Sequence, residues 1–499
     1  MMKRTLYLFI LPFLLALYGC DTSSSSFTEA SEEKQFVWNG LNFWYFWQSS
    51  VPDLADDRFS DEGEFHDFLN RHSDEEDLFY SLRYPQDGFS WFIENYEEHE
   101  EARRGISRSF GFRYGLVRIS SDSNLLFGYV QYVVPDSPAD NAGLKRSDIF
   151  NRVNGTQLTI ANDNYISVLQ SDTYTLTLAE IENGGFNELE ELDPIQAVNL
   201  QENPVFRDTI IETETATVGY LAYNAFRFNF HEELNEAFAR FQTANIDELV
   251  LDLRYNSGGT LVTAAVLAGM ISGLDNENIF ARLIYNEKRS DRNTLFPVYD
   301  RVPVYDNEGN FVDWIGMHQL NLDRVFVLTA NWTASASEAL INGLEPYMEV
   351  IQIGSVTRGK DEGSITVYDA PEANYSPSGE AERAKINRNH MRAMQPIVFK
   401  IFNSLDQDYP DGFTPVQENE LVEFRSPHFQ NMRPLGDPHE PLLARALQII
   451  TGVEPVTKMA IVEDQFGEMI FDSGQLVPFS DDVYLLPAEV EELGLMNDL

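Results

Sequence analysis

A serine and a lysine 25 positions apart are the residues of this sequence best suited to covalent chemistry. Ser335 lies in the run Thr-Ala-Ser-Ala-Ser-Glu at residues 333–338, and Lys360 ends the run Thr-Arg-Gly-Lys at residues 357–360. A serine hydroxyl becomes a nucleophile when a neighbouring base removes its proton as it attacks. A lysine can be that base if burial keeps its amine uncharged. The pair therefore predicts hydrolysis by nucleophilic catalysis.

The segments around these two residues predict elements that would bring them together. Residues 325–328 and 350–353 are apolar runs typical of buried strands, and residues 338–347 favour a helix that begins just after Ser335. Loops at the carboxyl ends of neighbouring parallel strands meet at one edge of the sheet. The alternative explanation is a capping box, in which a serine and a glutamate three positions later only satisfy free amides at a helix start.

A third segment predicts a place for negative charge. Residues 247–259 form an apolar strand pattern that ends in Gly258 and Gly259, and the apolar run 261–271 then favours a helix. Glycines there can serve a tight turn with positive φ. They can also expose backbone amides that stabilise an oxyanion.

Taken together, residues 251–259, 334–338 and 359–360 resemble the carboxyl-terminal processing peptidases, also called tail-specific proteases, a family of serine endopeptidases. The resemblance implies a crotonase-like α/β serine protease domain that needs no cofactor and no metal. It also implies roles for individual residues: Ser335 as nucleophile, Lys360 as base, and the amides of Ala336 and of Gly258 or Gly259 as oxyanion donors.

An upstream series of motifs is similar to a PDZ domain. The series comprises residues 110–116, 133–144, 148–149 and 153–155. Such a module adds an extended peptide to a sheet edge and holds its terminal carboxylate in a nest of backbone amides. The resemblance implies protein or peptide substrates that bind by their C-terminal ends. It places the carboxylate nest at Phe112, Arg113, Tyr114, Gly115 and Leu116.

The lysine loop departs from the family pattern. Many relatives follow the lysine with a glycine, two residues and a glutamine that orients it, but here Asp361 and Glu362 come first. If the loop is two residues longer, Thr366 takes the place of the glutamine and orients the amine through water or a shifted backbone. Carboxylates near the amine favour its ammonium form and oppose its use as a base.

The length of 499 residues and the changes in composition predict a multidomain protein of α+β and α/β class. An aromatic stripe at helical spacing marks the first domain, which we expect to be a packing unit with no chemistry of its own. The predicted parts are a lipoprotein signal peptide (1–20), a flexible tether (21–35), a helical N-terminal domain (36–105), a PDZ-like domain (106–182), an acidic connector (183–204), the catalytic domain (205–453) and a C-terminal extension without an assigned role (454–499).

The first twenty residues predict export. Two basic residues precede an apolar run that is too short for an ordinary membrane span and ends in Leu-Tyr-Gly-Cys at Cys20. The run resembles a bacterial lipobox, which implies lipidation of Cys20, the single cysteine. A lipid would anchor the chain to a membrane of the bacterial cell envelope, at a periplasmic face or the outer membrane, without spanning it.

The charge balance excludes one class of partner. With 80 acidic and 35 basic residues the net charge is −45, which argues against nucleic-acid binding.

The eight histidines lack metal-ligand spacing. Three of them, His231, His318 and His390, remain candidates for a Ser-His-Asp triad. Two further alternatives stay open: a catalytically idle PDZ-containing lipoprotein that binds protein C-termini, and a structural lipoprotein whose motifs are only caps and turns.

Overall fold

The computed structural model describes residues 27–182, 184–425, 427–453, 466–476 and 482–490. The predicted signal peptide and Cys20 lie outside these residues. Within them, no helix combines the length and the apolar composition needed to cross a bilayer.

The N-terminal region is mainly helical, as predicted, but its first helix starts inside the predicted tether. Ser31 caps that helix by accepting a hydrogen bond from the Lys34 amide, and Glu32 and Glu33 lie in its first turn, where acidic side chains are favoured. Residues 32–35 are therefore helical, which corrects the tether boundary. The elements are α1 (Glu32–Trp44), α2 (Glu62–Leu69), α3 (Glu75–Leu82), β1 (Trp91–Ile93) and α4 (Tyr96–Arg103).

The second region is a β-rich domain. Strands β3, β4, β5, β8 and β9 follow one another in an antiparallel sheet, and β6 lies beside β5. Its elements are β2 (Ile106–Ser109), β3 (Phe112–Arg118), β4 (Leu126–Val133), α5 (Pro138–Asn141), β5 (Ile149–Val153), β6 (Thr156–Gln157), α6 (Asn164–Val168), β7 (Thr173–Tyr174), β8 (Leu176–Glu182), β9 (Gly185–Glu191), β10 (Ile195–Gln196) and β11 (Val198–Gln201).

The prediction of an acidic connector at residues 183–204 is wrong in part. Three of the strands just named lie there: β9 pairs with β8, β10 with β7, and β11 with β2. Strand β9 is largely exposed. A charged edge strand can keep its acidic side chains in water while its backbone pairs with the sheet, so acidic composition did not exclude a strand.

The third region has the alternating strands and helices that the sequence predicts. Its central sheet has the order β12-β13-β14-β20-β21, in which β12 is antiparallel to β13 and the other neighbours are parallel. The elements are β12 (Val205–Glu212), β13 (Thr217–Tyr223), α7 (His231–Ala244), β14 (Glu248–Asp252), β15 (Gly259–Thr260), α8 (Leu261–Ser272), β16 (Ile279–Tyr285), β17 (Thr294–Pro297), β18 (Arg301–Tyr305), β19 (Phe311–Gly316), β20 (Arg324–Thr329), α9 (Ala336–Leu344), β21 (Glu349–Gly354), β22 (Glu362–Ile365), β23 (Val367–Tyr368), α10 (Gly379–Arg383), β24 (Ala393–Gln395), β25 (Ile397–Phe402) and α11 (Pro441–Thr451).

The N-terminal region packs directly on this third region. Strand β1 pairs with β24, and the Trp44 indole donates a hydrogen bond to the Asn374 carbonyl over 2.8 Å. Trp44 is 1% exposed. The predicted aromatic stripe is therefore core, and part of what it packs against lies in the catalytic region.

The described residues of the predicted C-terminal extension contribute one strand to each of the two larger regions. These strands are β26 (Met469–Asp472) and β27 (Val483–Leu485). Strand β26 pairs antiparallel with β3. Strand β27 lies parallel between β15 and β22 in a sheet of order β15-β27-β22-β25-β16-β17. The described parts of the predicted extension are thus integrated into both domains.

A buried cluster of charges joins the β-rich domain to the central sheet. The Arg254 guanidinium is 1% exposed and pairs with Asp252 at 2.9 Å, Glu423 at 2.8 Å and Glu440 at 2.6 Å. Arg146, from the β-rich domain, reaches Glu423 at 2.5 Å. Burial would raise the pKa of Glu423, but Arg146 and Arg254 together lower it to about 2. The cluster holds the turn after β14 in place.

We expect Glu423→Gln to lower the free energy of unfolding at pH 7 by about 3–5 kcal/mol, because the two arginines lose their shared carboxylate. In the wild type, a folded pKa below the unfolded value contributes stability above pH 4.5, which is lost as the pH falls toward 2. Urea unfolding between pH 3 and pH 8 should therefore show a shallower acid dependence in the variant. The exposed Glu418→Gln is the control, and an acid dependence equal to that of the wild type would contradict the assignment.

Candidate active site

The carboxylate of Glu338 joins the serine segment to the lysine loop. Its Oε2 accepts from the amides of Ser335 at 2.8 Å and Lys360 at 3.0 Å, and its Oε1 accepts from the Gly359 amide and the Thr357 hydroxyl, both at 2.6 Å. Burial raises the pKa of Glu338, although these donors oppose the rise. The predicted capping contact is present, but the same carboxylate also fixes the backbone that carries Lys360.

Ser335 lies where the sequence predicts, between the end of β20 and the start of α9. Its backbone has φ 64° and ψ −115°, a conformation that a residue with a side chain rarely adopts. Such strain persists where surrounding contacts fix it, and it is common at functional sites. Here the Glu338 contact to the Ser335 amide helps to hold it. The side chain is fully buried.

Lys360 follows β21, and its amine is also fully buried. Because β20 and β21 are parallel neighbours, their carboxyl ends bring the two predicted residues to one edge of the sheet, as expected. The Lys360 Nζ donates to Asp482 Oδ1 over 2.8 Å, and both side chains are 0% exposed. Asp482 directly precedes β27 and was missed at the sequence level, since nothing local marks it as a partner of Lys360.

A network of polar side chains continues from Asp482, and it corrects the prediction for Thr366. The Ser364 hydroxyl donates to Asp482 Oδ1 over 2.8 Å, and the Gln395 amide donates to Oδ2 over 3.1 Å. The Thr366 hydroxyl donates to Gln395 Oε1 over 2.7 Å, so it is linked to the lysine through Gln395 and Asp482. The group that holds the amine is the Asp482 carboxylate. Ser364, four residues after Lys360, shares that carboxylate.

The predicted oxyanion amides differ in whether the protein itself already binds them. The Gly258 amide donates to Asn256 Oδ1 over 2.9 Å, and the Gly259 amide donates to the Asp482 carbonyl over 2.8 Å. Neither glycine offers its N–H to a substrate in this arrangement, which corrects the prediction as it stood. Ala336 is the first residue of α9, a position whose amide has no partner within the helix.

Of the two acidic residues after the lysine, Glu362 interacts electrostatically with Lys360, as the sequence suggested, whereas Asp361 pairs with another residue. Asp361 is fully buried and lies 3.3 Å from the Nζ of a different lysine, Lys400. Burial, followed by the neighbouring Asp361, raises the pKa of Glu362 to about 7. The carboxylate bound to Lys360 comes instead from Asp482.

The predicted carboxylate nest, residues 112–116, lies in β3. Strand β3 pairs with β4 on one side and with β26 on the other, where Gly115 faces Asp472 and Leu116 faces Phe471. The Tyr114 amide donates to Ser473 Oγ over 2.9 Å. A cavity of about 770 Å³ lies elsewhere, but one of about 720 Å³ adjoins this strand and is lined by Phe110 and Phe112 among others.

The three histidines proposed for a triad have other partners. His231 binds the Pro303 carbonyl at 2.8 Å and the Thr263 hydroxyl at 2.7 Å, and burial lowers its pKa to about 4. His318 Nδ1 lies 2.9 Å from Gln242 Oε1, and His390 Nε2 lies 3.1 Å from Asp369. The histidine ring nitrogens named here are engaged in these contacts. Lys360 therefore remains the better candidate for the base.

The N-terminal region contributes to the site, contrary to the expectation that it has no chemical part. The Lys360 Nζ lies 4.8 Å from the centroid of the Phe89 ring. The Arg103 guanidinium donates to the Thr366 hydroxyl over 3.1 Å. An aromatic face close to an ammonium stabilises the charge, so the first region forms one wall of the lysine site.

The fold and site define a multidomain protein with a serine and a lysine at the carboxyl edge of an α/β sheet. Residues 32–91 match the family model of the Peptidase S41 N-terminal domain. Residues 217–372, which include Ser335 and Lys360, match the model of Peptidase family S41. Asp482 lies outside both ranges.

Individual peptidases are also similar to this chain in sequence or in structure. The chain is similar to the chloroplastic carboxyl-terminal-processing peptidase 1 of Arabidopsis thaliana, with 26% identity over 46% of this chain and 42% of that protein. A CtpA-like serine protease of Staphylococcus epidermidis is 25% identical over 53% of this chain and 48% of that protein. An S41 protease structure from Bacteroides fragilis NCTC 9343 has a TM-score of 0.62 and 27% identity, and the match covers 84% of this chain and 98% of that one.

The chain is thus similar to S41 peptidases in two parts of its sequence and in its fold, and to carboxyl-terminal processing peptidases among the curated relatives. The matches to the two curated relatives span less than half of their lengths. The fold class predicted from the sequence, with a helical N-terminal region and a mixed α/β protease fold, is confirmed.

We expect Glu338→Gln to disturb both the serine and the lysine loop. A glutamine would turn an NH₂ group toward two of the four donors, which should lower the free energy of unfolding by about 2–3 kcal/mol. It should also slow labelling of Ser335 by a fluorophosphonate at least about a hundredfold, since displacements on the order of 1 Å have such effects. Chemical denaturation and gel-based labelling measure the two changes.

The matched control is Glu345→Gln, an exposed carboxylate at the other end of α9. If Glu338→Gln loses stability but labels at the wild-type rate, Glu338 only caps the helix.

Proposed function

We propose that this chain is a serine endopeptidase that uses Ser335 and Lys360 as a catalytic dyad. The observation that carries the proposal is the Glu338 carboxylate, which binds the backbone amides of both residues and fixes them at one edge of the sheet. A glutamate that only capped a helix would have no need to hold the lysine loop. The match of residues 217–372 to the S41 peptidase family supports the same chemistry.

The reaction follows from these groups. The Ser335 hydroxyl attacks a peptide carbonyl while the uncharged Lys360 amine takes its proton, and a tetrahedral intermediate forms. The C–N bond then breaks, and the lysine returns the proton to the leaving amine. Water attacks the resulting ester, the lysine again carries the proton, and a free carboxylate and Ser335 are regenerated.

The developing oxyanion needs donors in place before the reaction begins. The amide of Ala336 is suited to this role because it lies at the first position of α9, next to the nucleophile. The amide of Gly259 becomes a second donor when the Asp482 carbonyl leaves it. Gly258 is less suited, because Asn256 holds its amide from within the same turn.

Substrate recognition through C-terminal tails is a further part of the proposal. On one edge of β3 the short strand β26 already pairs in antiparallel register, and this is the geometry used in strand addition. The cavity beside Phe110 and Phe112 has room for a terminal carboxylate and the last side chains of a tail.

One observation favours a second candidate function, an idle protein that only binds protein tails. The Lys360 amine is bound to the Asp482 carboxylate in a fully buried pair. A carboxylate favours the ammonium, and an ammonium cannot accept the serine proton. A chain locked in this arrangement would keep peptide binding without cleavage.

We expect Ser335→Ala and Lys360→Met each to slow cleavage of an unstructured reporter polypeptide by more than about a thousandfold, because the two residues act as one unit. The exposed Ser49→Ala and Lys385→Met are the matched controls and should cleave at the wild-type rate. Mass spectrometry of the products and circular dichroism of each variant complete the measurement. Tail binding with no cleavage in any form would support the idle binder, and full activity of Ser335→Ala would refute the dyad.

The location is also a proposal: an exported protein, lipid-anchored through Cys20 in the bacterial cell envelope. We expect Cys20→Ser to move the protein from the membrane fraction to the soluble fraction of a bacterial host, since it removes the only acylation site of the proposed lipobox. Metabolic labelling with a palmitate analogue should be lost as well. Retention in the membrane fraction by the serine variant would contradict the lipid anchor.

A further inference from the structure

We propose that residues 466–476 and 482–490 are an internal occupant of both peptide sites, which keeps the protease closed until a substrate tail displaces it. The inference rests on the proposed function, since it assigns those sites to peptide binding and cleavage. We refer to residues 466–476 and 482–490 together as the C-terminal segment. Its two strands occupy the two places that an extended substrate would need.

The first place is the edge of β3. Strand β26 pairs there in antiparallel register, with Met469 opposite Val117 and Asp472 opposite Gly115. It runs toward the start of β3, the direction that a peptide takes when it presents its end to the predicted nest. A substrate tail and β26 would therefore compete for the same backbone groups.

One side chain anchors β26. Asp472 is fully buried and accepts from Arg113 Nε at 2.9 Å and from Gln131 Nε2 at 2.7 Å. The other three residues of the strand are only partly buried. A short strand with one strong anchor can be displaced by a longer peptide that pairs along the whole edge.

The second place is the catalytic cleft. A methyl group built on Gly258 would lie 2.5 Å from the Asp482 carbonyl oxygen and 2.7 Å from Ser335 Cβ, so those two atoms are at most 5.2 Å apart. The same carbonyl accepts from the Gly259 amide at 2.8 Å. A substrate carbonyl would need this position, beside the nucleophile and against a predicted oxyanion donor.

The Asp482 side chain disables the base at the same time. Its carboxylate binds the Lys360 amine, while Val483 and Leu485 fill the space between β15 and β22. Ser335 and Lys360 are both fully buried in this state. The segment thus blocks the nucleophile from substrate and occupies the amine of the base with a carboxylate, and its removal would reverse both effects.

The position of Asp482 in the chain also fits this role. The matched part of the S41 family ends at residue 372, more than a hundred residues before Asp482. The groups proposed for catalysis are therefore complete without the C-terminal segment. What the segment adds is the blocking carbonyl and the carboxylate on the lysine.

Two variants of the full chain test the proposal from different ends. Asp472→Asn weakens the anchor of β26 on β3, and Asp482→Asn removes the carboxylate charge that pairs with the Lys360 amine. We expect each to raise the rate of fluorophosphonate labelling at Ser335 by roughly tenfold or more, the change that loss of a charged hydrogen bond produces. Cleavage of the reporter polypeptide should rise in parallel. The control is Glu468→Gln, an exposed carboxylate on the same segment.

A synthetic peptide of residues 466–490, added to the Asp482→Asn protein, should slow labelling again, whereas a scrambled peptide should not. Circular dichroism and melting temperatures establish whether each variant is folded. If Asp472→Asn fails to fold, the added peptide still tests the proposal on the Asp482→Asn protein. Variants that label at the wild-type rate would overturn the internal occupant and leave the peptidase standing. Slower labelling of Asp482→Asn would also overturn it, because Asp482 would then be a positioning residue of the working enzyme. No labelling in any form would overturn the peptidase as well.

Discussion

The site depends on one carboxylate with four hydrogen-bond donors. Glu338 holds the amide of Ser335 and two amides of the lysine loop, and these two segments follow the neighbouring strands β20 and β21. A buried carboxylate is tolerated only when its oxygens are satisfied. Placement of the four donors is therefore a condition for folding of this edge of the sheet, and the alignment of serine and lysine follows from it.

Much of this arrangement could be predicted from local sequence. Apolar runs at 325–328 and 350–353 indicated the two strands, and the Thr-Ala-Ser-Ala-Ser-Glu run placed Ser335 at a helix start. The same local reasoning assigned Glu338 only a capping role, because a capping box is a sufficient explanation for a glutamate in that position. Its second role depends on Gly359 and Lys360, which are more than twenty positions away.

The lysine partner could not be predicted, for a physical reason. Asp482 precedes a strand of only three residues, too short to show an alternating pattern, and its pairing with β15 and β22 is set by tertiary packing. The prediction placed Thr366 in the role by assuming a longer loop. Acidic composition misled in the same way at β9, where charged side chains face water while the backbone completes a sheet.

The contact between Phe89 and the Lys360 amine has a consequence for how this protein could be shortened. The ring belongs to the N-terminal region, Asp482 to the C-terminal segment, and Ser335 and Lys360 to the part between them. A fragment excised at residues 205–453 would keep the serine and the lysine but lose the aromatic wall and the carboxylate that surround the amine. The surroundings of that lysine are thus built by three distant parts of the chain, and an excised core would present the same amine to different neighbours.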